Sequence, residues 1–353
     1  MNNRERMQAI VDGKPVDRMP FVSGNDNAAP NQVIWDALGR DSMGLLRGTY
    51  VHKVVTEGCR IVTEEPYFHH GKDGLKRTLH TPWGDLTEIH LKQHDLNTYA
   101  YVKHYVKDRK DLEILYRYLQ ASRCIPYPKY LEDNLTSCGD DGIVSVCMER
   151  TPYQQMWIIW SNLMDMSYLL DDEEDLMEAC FDEMGRLLRQ QADIVVQVAK
   201  TLPVSLVEFP ENLTAPCLGK ERFERYCVPF YREIKEKLGE GYLIGVHADG
   251  DTRSLADNIL RSGLDFLESF TPSPDNDMPI EEAVRVWPDM ALFINFTSSV
   301  HLSDPDTIYR TAKHIMEVTR GRKHWIQITE SVPPERWRVS FPAILQAVKE
   351  FRD

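Results

Sequence analysis

His247-Ala248-Asp249-Gly250 is the segment of this chain whose residue types and spacing point most directly to chemistry. It follows the apolar run Tyr242–Val246 and leads into a helix-like stretch. A histidine and an aspartate two positions apart on extended backbone face the same side, so both can reach one ion or one substrate. Acids recur in the same kind of place. Glu149, Glu208, Glu211, Glu268 and Glu330 stand at or just beyond the ends of short apolar runs, with Asn212 and Asn295 in equivalent positions. Converging carboxylates repel one another unless one is protonated, hydrogen-bonded or neutralised by a cation. A divalent metal, a cationic substrate or one raised pKa would each relieve that repulsion. Zinc accepts imidazole nitrogen and carboxylate oxygen, and a catalytic zinc needs only three protein ligands. His247, Asp249 and Glu330 would make such a set. His247, Glu208 and Glu330 are the candidate acid–base groups. Asn25, Glu149, Glu211, Asn212, Glu268 and Asn295 are the candidate substrate contacts, although Gly24-Asn25-Asp26-Asn27 fits a plain turn equally well.

These residues need elements to hold them. Arg18–Ser23, Gly142–Cys147, Val204–Glu208, Tyr242–Val246, Leu264–Leu267, Leu292–Ile294 and Trp325–Ile328 read as strands, and from residue 142 onward helical patterns separate them. Alternation of that kind implies parallel strands with helical crossovers. It predicts an α/β fold, a (β/α)8 TIM-type barrel, in which function collects at the carboxyl ends of the strands. The eighth strand is assigned to residues 54–66. Residues 54–91 alternate around the turns Lys72-Asp73-Gly74 and Pro82-Trp83-Gly84, which predicts an inserted antiparallel β-hairpin. The aromatic stretch Tyr153–Leu170 reads as a packed helix. No low-complexity linker divides residues 1–353, so one barrel domain carrying the insert is expected.

Composition narrows the partners. A net charge of −14 disfavours nucleic acid and anionic membranes, both of which select basic surfaces. The seven cysteines form no CxxC pair, which suits reduced thiols in the cytoplasm. No apolar signal region opens the chain, and no apolar run reaches the roughly 20 residues of a membrane span. There is no glycine-rich phosphate loop, GxSxG or HExxH.

Several segments carry a family resemblance. Arg4-Glu5-Arg6-Met7 through Gly13-Lys14-Pro15-Val16-Asp17-Arg18-Met19-Pro20 resembles the opening of uroporphyrinogen decarboxylase family proteins, in particular their corrinoid-dependent methyltransferase branch. Thr81-Pro82-Trp83-Gly84 and Phe223–Pro229 are similar to family segments. His247-Ala248-Asp249-Gly250 aligns with the family's His-x-Cys-Gly, and Ile328-Thr329-Glu330-Ser331-Val332-Pro333-Pro334 with the region of its last cysteine. The resemblance implies a methyl transfer between a small methylated substrate and a corrinoid on a partner protein, with Zn²⁺ as Lewis acid. Two departures stand out. Ser23-Gly24-Asn25-Asp26-Asn27 replaces the arginine-rich segment of true decarboxylases, so a polycarboxylate substrate is disfavoured. Asp249, and Thr329 or Glu330, stand where zinc-binding cysteines are expected, so the site is either oxygen-rich or without metal. A lyase or decarboxylase of a smaller substrate, and a non-catalytic corrinoid- or ligand-binding protein, are the alternative readings.

Overall fold

Eight parallel strands close into a ring in the computed structural model, which describes residues 1–24, 26–93 and 98–351. In chain order the strands are β1 (Phe21–Ser23) and β2 (Gly44–Thr49), then β3 (His52–Thr56), β4 (Arg60–His69), β5 (Lys72–Thr81), β6 (Gly84–Gln93), β7 (Thr98–Lys103) and β8 (Ser122–Pro126). They continue with β9 (Gly142–Cys147), β10 (Leu206–Phe209), β11 (Leu243–His247), β12 (Phe266–Phe270), β13 (Ala291–Asn295) and β14 (His324–Ile328). The ring runs β1-β14-β13-β12-β11-β10-β9-β2, and β1 closes it on β2 with Val22 opposite Gly44. Among the described residues, no helix is long and apolar enough to cross a membrane.

The expected barrel is present, with one correction. Its eighth strand is β2, not residues 54–66. Glycine hides β2 from hydrophobic periodicity. A Cβ at Gly44 would lie 2.9 Å from the Met7 sulfur, and one at Gly48 would lie 2.9 Å from the Cys147 sulfur, so neighbouring side chains fill the space. Residues 54–66 instead contribute to β3 and β4, whose partners β8 and β5 run antiparallel.

The chain divides into two compact units. Residues 1–51, 127–148 and 195–353 hold the ring and the helices between β10 and β14. Residues 52–126 and 149–194 form the second unit. The hairpin expected at 54–91 belongs there to a larger antiparallel sheet of order β4-β5-β6-β7, beside the pair β3-β8. The expected continuous helix over Tyr153–Leu170 is broken in that unit. Pro152–Gln155 is α-helical and Met156–Trp160 widens to a π-turn. A new helix, Leu163–Asp172, starts at Asn162, whose side chain accepts from the Asp165 amide at 2.9 Å.

Inside the ring, alternation sorts side chains into layers. Gly245, Phe266, Phe293 and Trp325 form one layer. Two positions on, His247, Glu268, Asn295 and Gln327 form the next, nearer the carboxyl ends of the strands. The Phe266 and Phe293 ring centroids are 5.1 Å apart, and Phe293 lies on Trp325 at 3.6 Å with only 7° between the planes. Gly245 makes room for that floor, because a Cβ there would lie 2.3 Å from the Phe266 ring. Gly245→Ala is therefore expected to destabilise the protein by about 1–3 kcal/mol through overpacking. Denaturant unfolding checks this, and unchanged stability would show that the aromatic floor is not tightly packed.

Candidate active site

Strand register builds the site. His247 and Glu268 are direct partners on the adjacent parallel strands β11 and β12, so their side chains leave the sheet next to each other. His247 Nδ1 bonds Glu268 Oε2, and its Nε2 faces Asp249 Oδ2 at 3.5 Å. Glu268 Oε1 accepts from Gln327 Nε2 at 2.7 Å, and Gln327 Oε1 accepts from the Trp325 indole at 2.9 Å. On β10, Glu208 accepts from Ser145 Oγ at 2.9 Å. One ligand atom from each of Glu208, His247 and Glu268 lies within 4.8 Å of the other two.

The loops beyond the strands are tied together. The Leu213 amide donates to the His247 carbonyl at 3.0 Å, and the Gly250 amide returns a bond to the Leu213 carbonyl at 3.2 Å. This approach requires glycine, since a Cβ on Gly250 would lie 2.4 Å from Thr214 Cβ. Asn212 Nδ2 donates to Asp249 Oδ2 at 3.0 Å and so orients the aspartate toward the imidazole.

Electrostatics gives each group a different proton state. Burial raises the Glu208 carboxyl first, and the Glu268 charge raises it further. His247 and the Ser145 hydroxyl pull it back, and the outcome is about 8. Burial alone would depress His247, but the Glu268 charge and Asp249 outweigh it and hold the imidazole pKa well above its ordinary value. Burial also works against the Asp249 charge, yet hydrogen bonds from His247 and Asn212 keep its pKa below the ordinary value. At neutral pH the site therefore contains an imidazolium between two acids, and a neutral carboxyl on Glu208.

The other sequence candidates fall in different places. Glu211 is fully buried, and one of its oxygens accepts from Tyr231 Oη at 3.0 Å. Asn295 spends its amide on the scaffold, donating to Thr271 Oγ1 and accepting from the Thr329 amide, both at 3.0 Å. Glu330 accepts from Ser298 Oγ at 2.6 Å and is not in the group formed by Glu208, His247 and Glu268. Glu149 belongs to the second unit, where its amide donates to Gln191 Oε1 at 2.8 Å. Asn25 lies outside the described residues. Sequence reasoning missed Gln327 and Ser145, although a polar residue inside each of the apolar runs Trp325–Ile328 and Gly142–Cys147 was a usable signal.

The sequence profile of the uroporphyrinogen decarboxylase (URO-D) family matches residues 163–351. The chain belongs to this family. Among solved structures, a methyltransferase from Methanosarcina mazei aligns over 99% of both chains at 13% identity, with a TM-score of 0.57. A B12-independent methionine synthase from a Shewanella species aligns over 83% of this chain and 75% of its own at 10% identity, with a TM-score of 0.43. At 13% identity the likeness to the Methanosarcina protein is one of fold. No curated protein matches the chain significantly.

Glu208 gives the site a pH signature. Its folded pKa of about 8 lies above the ordinary 4.5, so its contribution to stability is complete below that ordinary range and is lost as pH rises through about 8. Glu208→Gln keeps a neutral side chain beside Ser145. Thermal melts of the variant are expected to lose at least about 2 °C less than wild type between pH 6 and 9. Parallel curves would show that Glu208 is ionised throughout.

Proposed function

We propose that this protein is a methyltransferase that moves a methyl group between a small methylated substrate and a corrinoid carried by a partner protein. The observation that supports it best is the group Glu208, His247 and Glu268 at the carboxyl end of a URO-D family barrel, where a proton donor and paired charges face one space. When the carbon–heteroatom bond of the substrate breaks, the methyl group leaves toward the acceptor and the heteroatom keeps the electron pair. From a neutral substrate that atom then needs a proton, whereas a cationic amine leaves already neutral. Glu208, protonated below about pH 8, supplies it, with Ser145 holding the carboxyl in place. Gln327 and His247 fix both oxygens of Glu268, so the negative charge beside the reacting centre stays oriented. An acidic surface of this kind receives a neutral or cationic substrate, such as a methoxy compound or a methylated amine. It repels a polycarboxylate, so literal uroporphyrinogen decarboxylation is disfavoured. Among the described residues the cysteines form no disulfide, which suits the cytoplasm assigned by the same reading.

The donor set fits zinc. One imidazole nitrogen and two carboxylate oxygens lie within 4.8 Å of one another, and zinc accepts both atom types. His247, Glu208 and Glu268 would hold the ion, with Asp249 adjacent, and an ionised Glu208 in that state would no longer serve as the proton donor. Bound there, zinc would supply Lewis acidity to the atom losing its methyl group. Both His247 and Glu208 must give up protons first. Zinc binding is therefore expected to release protons, and affinity is expected to rise about tenfold per pH unit for each proton released below pH 8. Calorimetry in buffers of different ionisation enthalpy measures this release. Zinc binding without proton uptake by the buffer would remove the metal from these residues.

Catalysis is tested with a panel of methoxyarenes and methylamines, a corrinoid protein and the purified chain. Methyl transfer is expected with wild type, and His247→Ala is expected to lower the rate by about 100-fold or more. Absence of transfer across the panel, or a His247→Ala rate equal to wild type, would overturn the proposal. Full activity in metal-free protein would leave the carboxyl and imidazole as the acting groups.

A further inference from the structure

One line of contacts runs from the packed interior of the barrel to the acidic group at its mouth, and a tryptophan begins it. Trp325 and Gln327 are two residues apart on β14, so both side chains enter the ring. The Trp325 indole is fully buried, and Phe293 lies flat against it. Its one polar atom, Nε1, donates to Gln327 Oε1 at 2.9 Å. Gln327 is itself buried and passes the contact on, donating from Nε2 to Glu268 Oε1 at 2.7 Å.

The donor inventory gives this line a direction. An indole nitrogen only donates, whereas an amide has a donor atom and an acceptor atom. With its oxygen held by Trp325, Gln327 must turn its nitrogen toward Glu268. The flipped amide would set N–H against N–H on one side and oxygen against a carboxylate oxygen on the other. An amide has no titratable proton in the range where proteins fold, so the contact to Oε1 is permanent. The contact of Glu268 Oε2 is different, because its partner is the imidazole Nδ1 of His247. Oε2 is therefore the oxygen of Glu268 that can be released to a ligand, on the side of the imidazole. Neither Trp325 nor Gln327 belongs to the group Glu208, His247 and Glu268 that can hold an ion.

We propose that Trp325 and Gln327 are positioning residues for a metal ion at that group: Trp325 sets the direction of the Gln327 amide, and Gln327 holds Oε1 so that Glu268 offers Oε2 alone. The inference rests on the zinc reading given above. Partners that orient a ligating carboxylate in this way typically change metal affinity by about 10- to 100-fold.

The test measures zinc affinity of the full chain by competition with a chromophoric chelator, without substrate or corrinoid. One zinc is expected per wild-type chain. Gln327→Met, close in shape but unable to bond either partner, is expected to weaken zinc by about 10- to 100-fold. Trp325→Phe, which frees the amide to flip, is expected to weaken it by about 3- to 10-fold. The double variant removes both polar partners and leaves no orphaned indole, so it carries the test even where Gln327→Met fails to fold. It is expected to match Gln327→Met within about twofold, because Trp325 acts only through Gln327. Phe266→Leu loosens the same aromatic floor without touching these bonds. It is expected to lower the melting temperature while leaving zinc affinity within about twofold of wild type. Wild-type zinc affinity in Gln327→Met or in the double variant would overturn the proposal and leave the zinc reading standing. So would additive losses in the double variant, or a loss in Phe266→Leu as large as in Gln327→Met. Failure of the wild-type chain to bind zinc would overturn both.

Discussion

The ion pair between His247 and Glu268 organises the mouth of this barrel. The two residues are register partners on β11 and β12, so parallel pairing itself delivers an imidazole and a carboxylate to the same point. Glu268 is buried and sits one layer above stacked aromatic rings, where solvation by water is poor. Losing one partner of such a pair leaves an uncompensated charge, which costs several kcal/mol. The remaining groups follow from this constraint. Gln327 takes the second oxygen of Glu268, Asp249 faces the other imidazole nitrogen, and Asn212 steadies Asp249. Glu208 is the carboxyl left over, and burial first, then the nearby Glu268 charge, raises its pKa.

Two non-glycine residues with left-handed backbone stand close to the same groups. Asn212 and Ser269 adopt left-handed conformations with φ of 50° and 59°, immediately after Glu211 and Glu268. Such conformations cost about 1–3 kcal/mol outside glycine and persist only where the surroundings hold them. Here the surroundings are specific. Asn212 is tied to Asp249, and Ser269 shares a 2.5 Å hydroxyl contact with Thr329. Ser269 lies inside β12, where pairing with β13 shifts register between Leu267 and Phe270, and Asn212 lies in the loop that follows β10.

The two units use glutamate in contrasting ways. In the barrel, Glu268 is paired with an imidazole and oriented by an amide, which suits cationic or neutral partners. In the second unit, Glu149 lines a cavity with Arg150, Gln155 and Gln191, and burial raises its pKa against the Arg150 charge and the Gln155 bond. Burial and the neighbouring charges decide which behaviour each residue shows, and residue type does not. Membership of the URO-D family is likewise compatible with more than one reaction, because barrels host many chemistries on one scaffold.

Strand-by-strand alternation in the second half of the chain was enough to determine the parallel barrel, and the polar residues ending each run located His247, Glu208 and Glu268 at one end of it. Those features are local: a run of β-branched and aromatic residues followed by a turn signals a strand end wherever it folds. Other features depended on distant partners. β2 is invisible as a strand because Gly44 and Gly48 carry no side chain, and their place in the ring is set by Met7 and Cys147. Gln327 looks like an interruption in an apolar run until β14 is placed two strands from β12, which brings it to Glu268. The direction taken by Glu330, toward Ser298, and by Asn295, toward Thr271 and Thr329, depended on loops far apart in sequence. Sequence therefore determined which residues reach the mouth, since alternation is a property of one strand. Only tertiary structure decided which of them share protons and charge, since that depends on distances between strands that no single segment contains.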